Sequence, residues 1–286
     1  MNLTSFLQGD RSKRPHYLLF GNPVGHSLSP FMHNLALNHF GIKARYFAID
    51  LRENEWTRLA SHLINEDAFW GANITIPYKQ LMMNYVDEID QTAAEVGAIN
   101  TIVKQDYKLA GFNTDVHGFL SPLRQFEDEL RGRGAIIFGT GGASRAVVEA
   151  LSELQMKPIK LISRNPGRVT TFKNSGVDVA SYDEWPAFLD DAGLIVNTTP
   201  LGMHPNVKQS PVRETEKQFL ADKICYDIVY NPLKTRFLKM AEEVGARGIG
   251  GLEMLIQQGS RSFELWTGKP FPVEMIRAKL YEKFED

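Results

Sequence analysis

The chemistry-bearing run that stands out first is Gly139-Thr140-Gly141-Gly142-Ala143-Ser144. It lies between Ala135–Phe138, an apolar stretch that reads as a strand, and Ala143–Leu154, whose apolar positions recur at helical spacing. Glycines at such a junction let the backbone turn tightly and approach a diphosphate. The free N–H groups of the helix N-terminus then face its charge. Ser144 stands where the common fingerprint has a third glycine, and an ordinary strand–helix turn is the competing reading. The end of the following strand selects between nicotinamide dinucleotides. Here it reads Ser163-Arg164-Asn165-Pro166-Gly167-Arg168, with no carboxylate for a ribose 2′-hydroxyl and two guanidinium groups that suit a 2′-phosphate. Arg168 alone is equally well read as a solvated surface charge.

The first third of the chain carries several polar clusters. In His26-Ser27-Leu28-Ser29-Pro30, two hydroxyls can face one side of an extended segment; capping of the following helix would explain Ser29 but not Ser27. Asn73-Ile74-Thr75-Ile76-Pro77-Tyr78-Lys79 alternates polar and apolar, which puts Asn73 and Thr75 on one strand face. Gly97-Ala98-Ile99-Asn100-Thr101 and Gly111-Phe112-Asn113-Thr114-Asp115 add two Asn-Thr pairs at strand ends, residue types that turns also favour.

These segments need strands and helices in alternation, and the chain supplies them, an α/β signature. Strands are expected at His16–Phe20, Arg45–Ile49, Ala72–Ile76, Ile99–Val103 and Lys108–Phe112, with helices at Pro30–Phe40 and Thr92–Val96. A second series begins near Arg133, with continuous apolar runs at Ala135–Phe138, Ile159–Ser163, Leu194–Asn197 and Ile224–Val229, as expected of parallel strands covered on both faces. Leu233–Val244 is an amphipathic helix, and Leu252–Leu265 and Val273–Phe284 are helical with no strand of their own. The expectation is therefore a first domain formed by 1–115 and 251–286, with a Rossmann-type dinucleotide-binding domain over 116–250 inserted in it and a ligand cleft between them.

The bulk numbers exclude other classes. The chain has 286 residues, enough for two domains, with 43% hydrophobic and 23% charged residues and a formal net charge of -2. Nothing advertises nucleic acid or an anionic membrane as a partner. No apolar stretch approaches the ~20 residues of a membrane span. Met1–Pro15 lacks the apolar core of a signal peptide, so a cytoplasmic location is expected. Cys225, the one cysteine, lies in an apolar run and reads as a buried, inert thiol; no cluster suggests a metal.

Taken together, the polar segments resemble those of shikimate dehydrogenases. The matching pieces run in order from Gly21 to Gly268 and include Gly25–Pro30, Asn73–Lys79, Gly97–Thr101, Gly111–Asp115, Gly139–Ala143, Asn197–Met203, Tyr226–Pro232 and Gly251–Gln258. The resemblance implies an N-terminal α/β substrate-binding domain, a Rossmann domain, NADP, and interconversion of 3-dehydroshikimate and shikimate in aromatic amino acid biosynthesis. It also implies that Ser27 and Ser29 hold the substrate carboxylate; that Thr75, Asn100, Asp115 and Gln258 hold ring hydroxyls, with Tyr230 nearby; and that Lys79 and Asp115 are the catalytic pair. The cofactor would lie on Gly139, Gly141, Gly142 and Ala143, with Arg164, Asn165 and Arg168 at the phosphate and Thr198, Met203 and Gly251 along the nicotinamide. One departure is Ser163-Arg164-Asn165, where the family often reads Asn-Arg-Thr, so the contacts flanking Arg164 differ.

Hydride arrival turns a ring carbonyl into an alkoxide, which the Lys79 ammonium can stabilise and protonate while Asp115 orients it. The partners expected are the small-molecule substrate and NADP, for a monomer or homodimer. Three rivals remain. An NAD-linked quinate or quinate/shikimate enzyme is opposed by Arg164 and by Ser29, which is less bulky than a threonine. A catalytically silent NADP-binding regulator is opposed by the joint presence of Lys79 and Asp115. A paralogue acting on another small hydroxy acid or amino-acid derivative is opposed by the full set of carboxylate and hydroxyl ligands.

Overall fold

The computed structural model describes residues 1–55, 59, 66–170, 172 and 176–285. The chain divides into two compact units, Met1–His117 with Ile256–Asp286, and Gly118–Leu255. The division falls after His117 and Leu255, where the sequence pattern put it after Asp115 and Gly250.

Among the described residues the first unit holds a six-stranded mixed sheet: β1 (His16–Gly21), β2 (Arg45–Asp50), β3 (Phe69–Ile74), β4 (Glu88–Ile89), β5 (Thr101–Gln105) and β6 (Lys108–Phe112), in the order β2-β1-β3-β5-β6-β4. β1 pairs in parallel with β2 and β3, whereas β5 runs antiparallel to β3 and β6. β1 is buried along its whole length, which explains its unbroken apolar character. Leu18, Phe20, Ile49, Phe69, Ile74, Ile99 and Ile102 form the core. A short helix, Leu3–Leu7, was not expected from the polar N-terminal segment. Asn2 caps it by accepting from the Ser5 N–H at 2.8 Å, and it buries Leu3 and Phe6 completely in this core.

The helix Gly251–Thr267 leads back into the first unit. The indole of Trp266 donates to the Ile102 carbonyl at 2.9 Å and stacks on Tyr17 at 4.7 Å. Gly71 is required beneath it, since a Cβ there would lie 2.5 Å from the indole nitrogen. The last helix is Val273–Glu285.

The second unit holds, among the described residues, a six-stranded, wholly parallel sheet: β7 (Gly134–Phe138), β8 (Ile159–Ile162), β9 (Asp178–Ala180), β10 (Ala192–Asn197), β11 (Ile224–Asp227) and β12 (Arg247–Ile249). The order β12-β11-β10-β7-β8-β9 runs outward in both directions from β7 and β10, which is the doubly wound dinucleotide-binding arrangement. Its core includes Ile136, Phe138, Trp185, Ile195, Cys225 and Phe237. Burial pushes the Cys225 thiol up to about 12, so it stays protonated and unreactive near neutral pH.

Several element boundaries differ from expectation in ways that matter for the site. β3 ends at Ile74, so Thr75 lies just past the strand and does not share a strand face with Asn73. β5 begins at Thr101, which leaves Asn100 in the approach to it. β11 stops at Asp227, and the helix after it spans only Arg236–Glu243, because Thr235 caps it by accepting from Leu238 N–H at 3.3 Å.

Candidate active site

In the first unit every candidate residue from the sheet emerges at one edge. Parallel β1 and β3 end there, β5 begins there because it is antiparallel to β3, and β6 ends there because it is antiparallel to β5. Open α/β sheets use this carboxyl edge for ligands. Lys79 and Asp115 lie beyond the strands, not at their last residues. Lys79 follows a turn after β3, and Asp115 opens the helix Asp115–Leu120 after β6. The turn is pinned from below: Tyr78 is buried, its phenol donates to the Leu51 carbonyl at 2.5 Å, and its N–H donates to the Thr75 carbonyl at 3.0 Å. The Lys79 carbonyl accepts from Ile99 N–H at 2.9 Å, which ties it to the segment carrying Asn100.

The Lys79 ammonium donates to Oδ2 of Asp115, and the Asn100 amide donates to Oδ1 of the same carboxylate at 2.8 Å. The two charged side chains are 16% and 9% exposed, so the pair stands mostly out of water, where an ion pair holds its geometry and losing one partner strands a charge. Asp115 N–H donates to Asn113 Oδ1 at 3.1 Å, and Asn113 in turn donates to the Ala98 carbonyl at 2.9 Å. Asn100 has both amide protons engaged, the second on Thr114 Oγ1 at 2.9 Å, and its oxygen accepts from Thr114 N–H at 2.7 Å and Thr101 Oγ1 at 3.0 Å. Its observed work is therefore on Asp115 and the strand ends.

Behind this pair lies a buried polar network that sequence reasoning missed. Ser262, on the helix Gly251–Thr267, meets Thr101 Oγ1 at 2.9 Å and Thr114 Oγ1 at 3.1 Å and accepts from Asn73 Nδ2 at 2.9 Å. Tyr46 donates to Asn73 Oδ1 at 2.7 Å, and burial holds its phenol protonated. His33 stacks on Tyr46 at 4.6 Å, and burial pushes it down to about 3, so it is neutral. Asn73 is thus structural glue. Ser262 stands four positions before Trp266 on one face of the helix, a placement that shows no partner in sequence.

The other first-unit candidates surround the same edge. Thr75 donates its N–H to the Phe20 carbonyl at 2.8 Å, and only glycine fits at 21 because a Cβ would lie 2.3 Å from the Thr75 methyl. Ser27 Oγ accepts from Ser29 N–H at 3.2 Å. Ser29 is not the helix cap: Leu28 holds that position, without a side-chain bond, and Ser29 begins the helix Ser29–His39 with Pro30. Gln258 is half-buried, and its carbonyl accepts from Ser262 Oγ at 3.0 Å.

In the second unit the glycine run follows β7 at the point where the strand order reverses. Gly139 has φ +111°, and a Cβ there would lie 2.5 Å from Thr198 Oγ1, so both its conformation and its space demand glycine. Gly141 and Gly142 are exposed with open space where a Cβ would go, at the start of the helix Gly142–Glu153, and Ala143 follows half-buried. A diphosphate can therefore approach the backbone closely, and the residues fit a dinucleotide. Ser144 is fully buried, its hydroxyl 2.8 Å from Thr198 Oγ1, so a small residue that bonds across to the end of β10 fills the place of the third glycine. Arg164, Asn165 and Arg168 follow just beyond β8, and neither guanidinium has a hydrogen-bond or ion-pair partner among the described residues. Thr198 donates to the Phe138 carbonyl at 2.8 Å and Met203 is 46% exposed. Gly251 packs on the backbone at Ile228, and Tyr230 is half-buried. Among the described residues, no group of three or more His, Cys, Asp or Glu could hold a metal, and no helix is long and apolar enough to cross a membrane.

The profile of the shikimate dehydrogenase substrate binding domain matches residues 19–102, and that of the shikimate 5'-dehydrogenase C-terminal domain matches residues 251–281. The NADP(+) shikimate dehydrogenase of Moorella thermoacetica is 40% identical over 92% of this chain and 92% of its own length. That of Synechocystis is 37% identical over 93% and 95%. The crystal structure of shikimate 5-dehydrogenase from Thermus thermophilus, in complex with NADP(H) and shikimate, superposes with a TM-score of 0.81 at 32% identity, covering 92% of this chain and 97% of that one. Likeness at this level over almost the full length of each relative places this chain in the shikimate dehydrogenase family.

Proposed function

We propose that this protein is an NADP-dependent shikimate dehydrogenase that reversibly reduces 3-dehydroshikimate to shikimate in aromatic amino acid biosynthesis, working in the cytoplasm. The observation that carries the reading is the Lys79–Asp115 pair, with Asn100 holding the carboxylate from its other side. In this reading 1–115 and 251–286 bind substrate, and 116–250 bind NADP through Gly139, Gly141, Gly142 and Ala143, with Arg164, Asn165 and Arg168 at the 2′-phosphate and Thr198, Met203 and Gly251 along the nicotinamide. When bound, NADPH supplies a hydride to the ring carbonyl carbon.

The chain's own residues do the rest. Ser27 and Ser29 hold the carboxylate, and Thr75 and Gln258, with Tyr230, bind ring hydroxyls, so the reacting carbon is oriented. Lys79 Nζ stabilises the growing alkoxide and donates a proton to it; in the reverse direction it accepts that proton. Asp115 keeps Lys79 aimed. Asn100, with no amide proton left for a hydroxyl, acts through Asp115. Steady-state rates with shikimate and with quinate, each with NADP and NAD, test the proposal: the shikimate–NADP pair should have the highest kcat/KM, and a preference for quinate with NAD would overturn it.

A further inference from the structure

We infer that Asp227 is a positioning residue for the cofactor side of the reaction, its carboxylate tying together the loops that follow β10 and β11 and so setting Thr198, Met203 and Gly251 in place. The inference rests on the NADP reading above.

Asp227 is completely buried at the end of β11, and it forms no ion pair with any described residue. A buried carboxylate without a cation costs stability, so an apolar residue would suit the core better if the core were all that mattered. Instead, the carboxylate collects three neutral donors from three segments. Oδ1 accepts from Asn197 Nδ2, at the end of β10, and from Val229 N–H, each at 3.0 Å, while Oδ2 accepts from Thr235 Oγ1 at 2.6 Å. The last is the residue that caps the helix Arg236–Glu243. Burial pushes the Asp227 carboxyl up to about 7, with the three donors pulling the other way.

Asn197 passes the constraint on. Its amide also donates to the Leu201 carbonyl at 3.1 Å, and its oxygen accepts from Thr199 N–H at 3.0 Å and Thr199 Oγ1 at 2.6 Å. The loop from Thr198 to Met203 is thus folded around Asn197, and Asn197 is anchored on Asp227. On the other side, Asp227 fixes Val229, whose carbonyl accepts from Gly251 N–H at 3.3 Å. A Cβ at 251 would lie 2.2 Å from the Ile228 carbonyl oxygen, so the loop backbone and Gly251 must keep their places to within a fraction of an ångström. Both loops stand at the carboxyl ends of adjacent parallel strands, where a doubly wound sheet binds its dinucleotide. Displacing groups of this kind by about 1 Å can cost about 100-fold in rate, even from a distance.

Asp227→Ala and Asp227→Asn in the full chain test this. The readouts are the NADP dissociation constant by calorimetry, KM and kcat for each substrate, thermal melting, and hydrogen exchange at 198–203 in the cofactor-free protein. Asp227→Ala should weaken NADP about tenfold or more and speed exchange at 198–203, with a smaller rise in the shikimate KM because Tyr230 follows Val229 in the loop that Asp227 anchors. Asp227→Asn, which keeps an acceptor for Asn197 and Val229 and can donate to Thr235, should stay close to the parent in both. Should the alanine variant fail to fold, Thr235→Val removes one donor and should loosen the same loop in smaller measure. The inference is overturned if a cooperatively folded Asp227→Ala binds NADP as the parent does with unchanged exchange, or if Trp185→Leu, a core variant matched in melting temperature, shows the same losses. A parent chain that does not bind NADP would sink the proposed function instead, while exchange at 198–203 would still decide the role of Asp227.

Discussion

Lys79 and Asp115, 36 positions apart in sequence, meet as one ion pair at the carboxyl edge of the first sheet. The pairing is made by topology: β3 and β6 run the same way on either side of antiparallel β5, so the segments that leave their ends arrive at the same edge.

Lys79→Ala should therefore lower kcat by about 100-fold or more, the usual scale for a positioned acid–base group. NADP affinity, measured by titration, should stay near the parent's, since the glycine run lies in the other unit. Combining it with Asp115→Asn should cost little more than the worse single change, because residues acting as a unit are not additive. Fully additive losses would show that the two work separately.

Arg164→Ala should weaken NADP far more than NAD. A charge-assisted bond to phosphate contributes roughly 1.5–3 kcal/mol, which only the 2′-phosphorylated cofactor would lose. The exposed guanidinium has no ion-pair partner among the described residues, so the melting temperature should not move. Equal loss for both cofactors would assign Arg164 to the fold.

Ser27→Ala should raise KM for shikimate with little change in kcat, because a carboxylate remote from the reacting carbon is held alike in ground and transition states. The hydroxyl also accepts from Ser29 N–H, so the variant's melting curve should be recorded with it. An unchanged KM would leave local backbone support as the role of Ser27.

Asp227 predicts a pH signature. Burial raises its carboxyl from the ordinary value of 3.8 to about 7. Across that window the folded chain keeps a proton that the unfolded chain has released, so this group's contribution to stability falls as pH climbs from about 4 to about 7 and is flat above. Asn at 227 does not titrate. The melting temperature of Asp227→Asn relative to the parent should therefore rise with pH, by an amount on the order of a few kcal/mol in stability. A gap that stays constant from pH 5 to 8 would refute it.

Much of this was legible in the chain because period and punctuation agreed. The continuous apolar runs of β7, β8, β10 and β11 announced covered parallel strands, and the glycines after β7 announced the tight strand–helix turn in which Gly139 takes φ +111°. The short edge strands β4, β9 and β12 have too few residues to show a period. The Leu3–Leu7 helix was hidden because only two buried apolar residues three apart carry it. Thr75 was misplaced because alternation continues one residue past the last ladder pair. Ser262 and Tyr46 were invisible as site residues because their meaning lies in partners: Ser262 meets Asn73 across 189 positions, a distance no local pattern spans.

That long reach has a consequence for synthesis on the ribosome. Gly118–Leu255 is one continuous piece, so its sheet can close as soon as its last residue clears the exit tunnel. Met1–His117 is made earlier, yet Asn73, Thr101 and Thr114 must wait for Ser262, and Tyr17 for Trp266, before their polar and aromatic faces are covered. The order of completion thus inverts the order of translation. Nascent chains stalled before residue 256 should yield a protease-resistant second unit beside a first unit that is still readily cut; resistance in both at that length would mean that the N-terminal segment closes without its C-terminal helices.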